Sequence, residues 1–491
     1  MTRRNAIEGG AAASLAALAA SCARKDMKEA SDLADLDAVE TAARIKSGEL
    51  KASEAVEAAI ARAEKLDPKI NAIAFKTFGH ARDHVKTASG PWGGVPTFIK
   101  DLDDVIGEPT AFGSRAFPGY RGKAQTPLID KVLSLGVVSL GKSTTPEFGL
   151  TATTEPLSTG KTRNPWNTDY STGGSSGGAA ALVAARVVPI AHASDGGGSI
   201  RIPASCCGNV GLKVSYNRNP LGRPDAVQPI SLSVHGVQSR TVRDTAAFLA
   251  AIEAPPEESG LPEVGLVTGP NTRRLRIALY TKSPQGRTVD DEVVAGARRA
   301  ADICRGLGHE VTEVDPDYAP GLEDAFLLYW AAIAQSIITA WEGITHLKRN
   351  GLVFENFTLG LVKHFEANRD KFDESVKLLL GAKDDFKAQF ETADVLMSPV
   401  LAAPTVKLGY LGTKLPYEEH LARVTQYAQF TSLYNIVGAP AISLPLAQSK
   451  NGMPMGVMFG ARAGDERTLL ELAYELEEAQ PWIGKRPALI A

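Results

Sequence analysis

Two glycine–serine segments hold the residues of this chain most suited to chemistry. One is Ser171-Thr-Gly-Gly-Ser175-Ser176-Gly-Gly178 and the other is Ser194-Asp195-Gly-Gly-Gly-Ser199-Ile-Arg201-Ile-Pro203. Glycine lets the backbone approach a ligand closely and take positive φ. Consecutive N–H groups in such a turn form a nest for an anion. In acyl transfer a nest of this kind holds the developing oxyanion, and a serine at its edge is placed to attack a carbonyl. A serine hydroxyl is a weak nucleophile and needs a base. Lys100 closes the apolar run Val95-Pro-Thr-Phe-Ile99. A lysine at a strand end, buried on one side, is discharged by desolvation and works as a neutral amine. Ser–Lys arrangements are one variant of the triad logic.

Other readings of the same segments fail on context. Gly173-Gly-Ser175-Ser-Gly177 fits a nucleophile elbow, but that turn needs a strand before it, and residues 160–172 are turn-rich and contain Pro165. A phosphate cradle needs Gly-Lys-Ser/Thr after the glycines, and none follows. The eight histidines show no metal spacing; His192 falls in an expected strand and reads as a core or supporting residue. Cys206, Cys207 and Cys304 sit in small-residue or helical stretches and read as packing.

The elements that must position these residues follow from periodicity. Leu36, Val39, Ala42 and Ile45 recur at helical spacing, and amphipathic helices are expected from Asp35 to Leu66. Val95–Ile99 and Val137–Val138 read as strands. Residues 151–178 form a long loop of the kind that carries function. A helix over Ala179–Arg186 and a strand over Val187–His192 separate the two glycine–serine segments. Strands are expected over Leu275–Tyr280, Glu310–Val314, Asp394–Met397, Pro440–Leu446 and Pro454–Phe459. Helices are expected over Asp290–Arg305, much of 321–392, and Glu466–Glu478. This alternation argues for a sheet covered by helices.

Bulk properties narrow the function classes. The chain has 491 residues with 44% apolar and 22% charged, which supports a large core. Its net charge of −3 comes without a basic stripe, so nucleic acid is not an expected partner. Four cysteines in this length cannot be a disulfide scaffold. The body contains no apolar run long enough to span a membrane. The N-terminus differs: Arg3 and Arg4 precede an Ala/Leu stretch from Ala11 to Ala20 that ends at Ser21 and Cys22. A charged head, apolar centre and small-residue exit describe an export signal, here of twin-arginine type. The expectation is a leader over residues 1–25, one domain over 26–491, and export to a bacterial periplasm. Ala-Ala-Ser-Cys22 also weakly resembles a lipoprotein site.

Lys100 with Asp101, the Ser175 segment and the Ser199 segment together resemble the amidase signature family. The spacings, 75 residues from Lys100 to Ser175 and 24 from Ser175 to Ser199, agree with that arrangement. Gly141-Lys-Ser-Thr-Thr-Pro-Glu147, Thr162-Arg-Asn-Pro-Trp166, Cys207-Gly-Asn-Val-Gly-Leu-Lys213, Asn435-Ile-Val-Gly-Ala-Pro-Ala-Ile-Ser-Leu-Pro445 and Gly452-Met-Pro-Met-Gly456 extend the resemblance over roughly residues 35–480. It implies an α/β fold with a mixed, mostly parallel central sheet covered by helices on both sides. It implies Ser199 as nucleophile, Ser175 after a cis peptide bond as proton relay, and Lys100 as base. The N–H groups of Gly196, Gly197, Gly198 and Ser199 would form the oxyanion hole, supported by Ser176, Asp195 and Arg201. Gly196 departs from the pattern, since many relatives carry a larger residue there.

Within the family the chain looks most like 6-aminohexanoate cyclic-dimer hydrolases. The implied reaction is hydrolysis of a small-molecule amide, cyclic or linear, through an acyl-enzyme. No metal or organic cofactor is implied, and a homodimer is the family expectation. A glutamine-hydrolysing subunit of a tRNA amidotransferase is the competing enzyme reading, against which the export signal speaks. An inactive amide-binding protein is the non-enzyme alternative, against which the presence of all three catalytic positions speaks.

Overall fold

The computed structural model describes residues 33–220, 229–316 and 318–490. The expected export signal and Cys22 lie outside the described residues. The strands, in chain order, are β1 (Ile73–Lys76), β2 (Pro96–Lys100), β3 (Val138–Ser143), β4 (Arg163–Asn164), β5 (Asn167–Ser171), β6 (Ile190–Asp195), β7 (Val210–Lys213), β8 (Val234–Ser239), β9 (Arg276–Leu279), β10 (Glu310–Glu313), β11 (Val395–Pro399), β12 (Ala441–Gln448) and β13 (Pro454–Gly460). Eight of them form one sheet in the order β10-β9-β11-β13-β12-β7-β8-β6; β1, β3 and β2 form a smaller one.

The sheet is mixed, as expected, but not mostly parallel. Two of its seven neighbouring pairs are parallel, β10–β9 and β9–β11, and five are antiparallel. The alternation of strand and helix had pointed to parallel crossovers. It missed that β12 and β13 are joined by a tight turn at Ser449–Met453, which forces an antiparallel pair. It also missed β7 and β8, and β4 with β5 form a small ribbon inside the expected loop.

The helix between the two glycine–serine segments runs Gly177–Ala184 and is buried throughout. Its sequence, GGAAALVA, is small and apolar on every side, as a helix inside the core requires. A Cβ at position 178 would stand 2.4 Å from the Thr144 backbone nitrogen, so only glycine allows this approach to the end of β3. Val138, Leu140, Ala181, Leu182, Val183 and Ala191 share one apolar cluster, locking β3, this helix and β6 together.

The smaller sheet meets the larger along β2 and β6. Their contact runs through side chains: the Thr97 hydroxyl donates to the Ile190 carbonyl at 3.1 Å, and the Lys100 N–H donates to His192 Nδ1 at 3.3 Å. Three helices, Leu322–Thr345, Asn356–Asn368 and Tyr417–Tyr427, stand over the ends of these strands. Indole N–H groups fasten the first of them: Trp330 donates to the Leu150 carbonyl at 3.1 Å and Trp341 to the Ala116 carbonyl at 3.0 Å. Buried Glu147 fastens the second, accepting from the Glu355 N–H and the Thr358 hydroxyl.

Candidate active site

Lys100 is the last residue of β2 and is fully buried. Its Nζ stands 2.7 Å from Ser175 Oγ and 3.0 Å from Ser194 Oγ. Burial brings the amine down from its usual range to about 7, with Asp103 and Asp195 pulling the other way. An amine at that value is largely deprotonated just above neutrality and can accept a proton. Asp101, next in the chain, accepts from the N–H groups of Ala111 and Gly113, so β2 ends in a closed loop at this point.

Ser175 follows a cis peptide bond from Gly174. Ser176 holds the segment against β6: its hydroxyl donates to the Ser194 carbonyl at 3.2 Å, and its N–H donates to the Ser199 carbonyl at 3.3 Å. Ser199 faces a cavity and retains 9% exposure, whereas Ser175 is 2% exposed. The Lys100–Ser175 leg is hydrogen-bonded. The Ser175 and Ser199 hydroxyls are not hydrogen-bonded to each other.

Asp195 shapes the turn that follows β6. Its carboxylate accepts from the N–H groups of Gly198 (2.7 Å) and Ile200 (3.1 Å), and pairs with Arg201 through two bonds of 3.0 Å. Burial works against this charge, but Arg201, with Asn435, holds the carboxyl well below the usual carboxylate range. One expectation is corrected here. The Gly198 N–H is committed to Asp195 and does not point at a substrate, because the carboxylate reaches back across the turn to claim it. The Asp195 carboxylate does not claim the N–H groups of Gly196, Gly197 and Ser199.

Sequence reasoning missed several partners. Ser194 is a second neighbour of the Lys100 amine. The Thr431 hydroxyl donates to the Gly197 carbonyl at 2.6 Å, and its own carbonyl accepts from Arg201. Asn435 donates to the Asp195 backbone and side chain and accepts from Arg201 at 2.7 Å. Asn435 stood in a quoted motif, but nothing local tied it to residues more than two hundred positions earlier. Cys206 and Cys207 are buried, as expected, and burial pushes the Cys206 thiol up to about 11.

Among the described residues one group has metal-ligand chemistry. Asp103, His192 and His235 bring ligand atoms within 4.8 Å of one another. The Lys100 N–H on His192 Nδ1 places that ring's proton on Nε2, which lies 3.2 Å from His235 Nδ1. With both nitrogens so committed, His192 has no lone pair to offer a metal.

The cavity over Ser199 has a volume of about 110 Å³. Most of its wall is apolar, from Phe326, Leu327, Trp330, Phe357, Leu421 and Val424, with Glu323, Thr425 and Ser432 as polar members. It shares Glu323, Leu327, Leu421 and Thr425 with a wider cavity of about 810 Å³, whose other residues include Arg287, Lys363 and His364. The Trp330 ring lies against Gly196, where an added Cβ would meet it at 3.2 Å. A side chain at position 196 would press on the edge of this indole, which would have to yield by a few tenths of an ångström, so glycine suits the contact. Trp330→Ala is expected to raise kcat/KM for amides with bulky acyl groups relative to acetamides, read from competition between the two. An unchanged ratio would remove Trp330 as a determinant of acyl size.

The sequence matches the amidase family over residues 54–470. It is 45% identical to the putative amidase AmiC of Mycobacterium tuberculosis (strain ATCC 25618 / H37Rv), over 92% of this chain and 96% of that protein. It is 35% identical to a 6-aminohexanoate-cyclic-dimer hydrolase of Paenarthrobacter ureafaciens, over 92% of this chain and 97% of that protein. The fold superimposes on a solved 6-aminohexanoate cyclic dimer hydrolase in complex with substrate. The TM-score is 0.87 at 32% identity, covering 93% of this chain and all of the other. On this likeness along almost its whole length, the chain belongs to the amidase signature family, enzymes that hydrolyse amide C–N bonds.

Proposed function

We propose that this chain cleaves a small amide through a Lys100–Ser175–Ser199 relay and an acyl-enzyme on Ser199. The observation that carries the reading is a fully buried amine 2.7 Å from Ser175 Oγ, in a segment bonded through the Ser176 N–H to the Ser199 carbonyl, with Ser199 opening onto a largely apolar cavity. Neutral Lys100 takes a proton from Ser175, which takes the Ser199 proton as Ser199 Oγ bonds to the amide carbon. The N–H groups of Gly196, Gly197 and Ser199 stabilise the oxyanion. The relay returns a proton to the leaving nitrogen as the C–N bond breaks, and water then releases the acid and restores Ser199.

The apolar wall suits an acyl body of methylene or aryl groups. The likeness to 6-aminohexanoate-cyclic-dimer hydrolases supports a cyclic or linear oligoamide. The test is a panel of cyclic and linear 6-aminohexanoate oligomers, aryl anilides, fatty amides and glutamine, followed by mass spectrometry beside Ser199→Ala. Turnover of one apolar class, lost in the variant, is expected. Equal turnover by the variant would sink the reading; glutamine as the one substrate cleaved would move it to ammonia-producing relatives.

A further inference from the structure

Behind Lys100, away from Ser175, lies a second arrangement of titratable groups that the relay does not use. Asp103 sits one turn after Lys100, its N–H donating to the Lys100 carbonyl at 3.1 Å. Its side chain is buried, and its Oδ2 has no hydrogen-bond partner. A buried carboxylate oxygen without a donor is costly and calls for an explanation. Two imidazoles face this carboxylate: His192 on β6, its Nδ1 4.0 Å from Oδ2, and His235 on β8, its Nδ1 3.8 Å from Oδ1. The rings stack with centroids 5.3 Å apart. From β3, Lys142 Nζ donates to the Asp103 carbonyl and to Thr110 Oγ1, and the charges of Asp101, Glu108 and Asp104 also act on it. From the end of β6, Asp195 is the other anion acting on Lys100.

The hydrogen-bond directions fix the charge of the pair. Lys100 N–H to His192 Nδ1, then His192 Nε2–H to His235 Nδ1, uses each ring once as acceptor, so both are neutral. Neither ring can then offer Asp103 an Nδ1–H, which accounts for the unpartnered oxygen. We propose that Asp103 is a positioning residue, an anion kept unneutralised behind Lys100 by the His192–His235 pair, and that it sets the pH at which Lys100 is free to take the Ser175 proton. This rests on the relay reading above and adds to it a residue that touches no substrate.

The signs agree. Burial pulls the Lys100 amine down, and Asp103 is the larger of the two charges pulling it back up. Burial holds His192 down at about 3 and lowers His235 as well, so neither takes a proton in the working range. Removing the Asp103 charge leaves Lys100 deprotonated at lower pH.

The experiment follows the rate at which a fluorophosphonate probe labels Ser199, with loss of fluoride, from acid to alkaline pH by intact-mass spectrometry of the full-length protein. Asp103→Asn is expected to move the midpoint of the acid limb down by about half a unit or more, and Asp103→Glu to restore it. His235→Arg, at a partly exposed position, sets a cation beside Asp103 and should move the limb the same way even where Asp103→Asn does not fold. A midpoint unmoved in folded Asp103→Asn, or in His235→Arg where that is the variant that folds, overturns the proposal. Lys100→Met separates the two readings. If it labels like wild type, the relay itself fails. If it loses labelling while Asp103→Asn keeps the wild-type midpoint, the inference about Asp103 alone falls.

Discussion

Lys100→Met is expected to lower kcat by about four orders of magnitude, the scale seen when one member of a nucleophile–base unit is removed. The methionine keeps the packed stem and deletes the amine. Ser175 then loses the group that takes its proton, and Ser199 has no route for its own. KM should change little, because Lys100 stands behind Ser175, away from the cavity wall. The loss should not add to that of Ser199→Ala, since both variants break one relay. Steady-state kinetics of the two single variants and the double variant checks this. A double variant far slower than either single one would mean that Lys100 and Ser199 act independently.

Arg201→Met is expected to cost about 3–5 kcal/mol of stability, the range for removing one partner of a buried ion pair. Arg201 and Asp195 are both fully buried. Without the guanidinium, Asp195 keeps a charge in the core with Asn435 as its remaining side-chain donor. The Thr431 carbonyl and the Asn435 Oδ1 lose donors at the same time. Denaturant unfolding measures the change. The variant should also become less stable as pH rises, because the freed carboxyl is then raised above its unfolded value and folding favours its protonated form. A loss below about 1 kcal/mol would show that the pair is replaceable by packing alone.

What the sequence disclosed and what it hid divide along chain distance. The run Val95–Ile99 announced β2 because each of its residues is buried, and the glycines announced the turn after β6 because backbone and side chains crowd it. β7 and β8 escaped notice because Gly211, Gly236, His235 and Gln238 interrupt the valines and leucine that would mark these buried strands. Gln238 is buried because its amide donates to the Ile200 carbonyl. Thr431 and Asn435 were out of reach for the same reason: their partners lie in the Asp195–Arg201 turn, over two hundred residues away. The Gly198 assignment failed on a contact of three residues, since a carboxylate at Asp195 competes with substrate for that N–H. Asp103 carries no local signal of a role, because the two imidazoles that face it come from β6 and β8.

The seam between β2 and β6 has a consequence for how the three residues are held together. Ser175 and Ser199 belong to one continuous stretch, a loop, a buried helix and a strand. Lys100 arrives from another sheet and is held there through side-chain bonds of Thr97 and His192. Lys100 therefore meets the two serines only where the smaller sheet docks against β6, and a disturbance of that seam would part the amine from both at once.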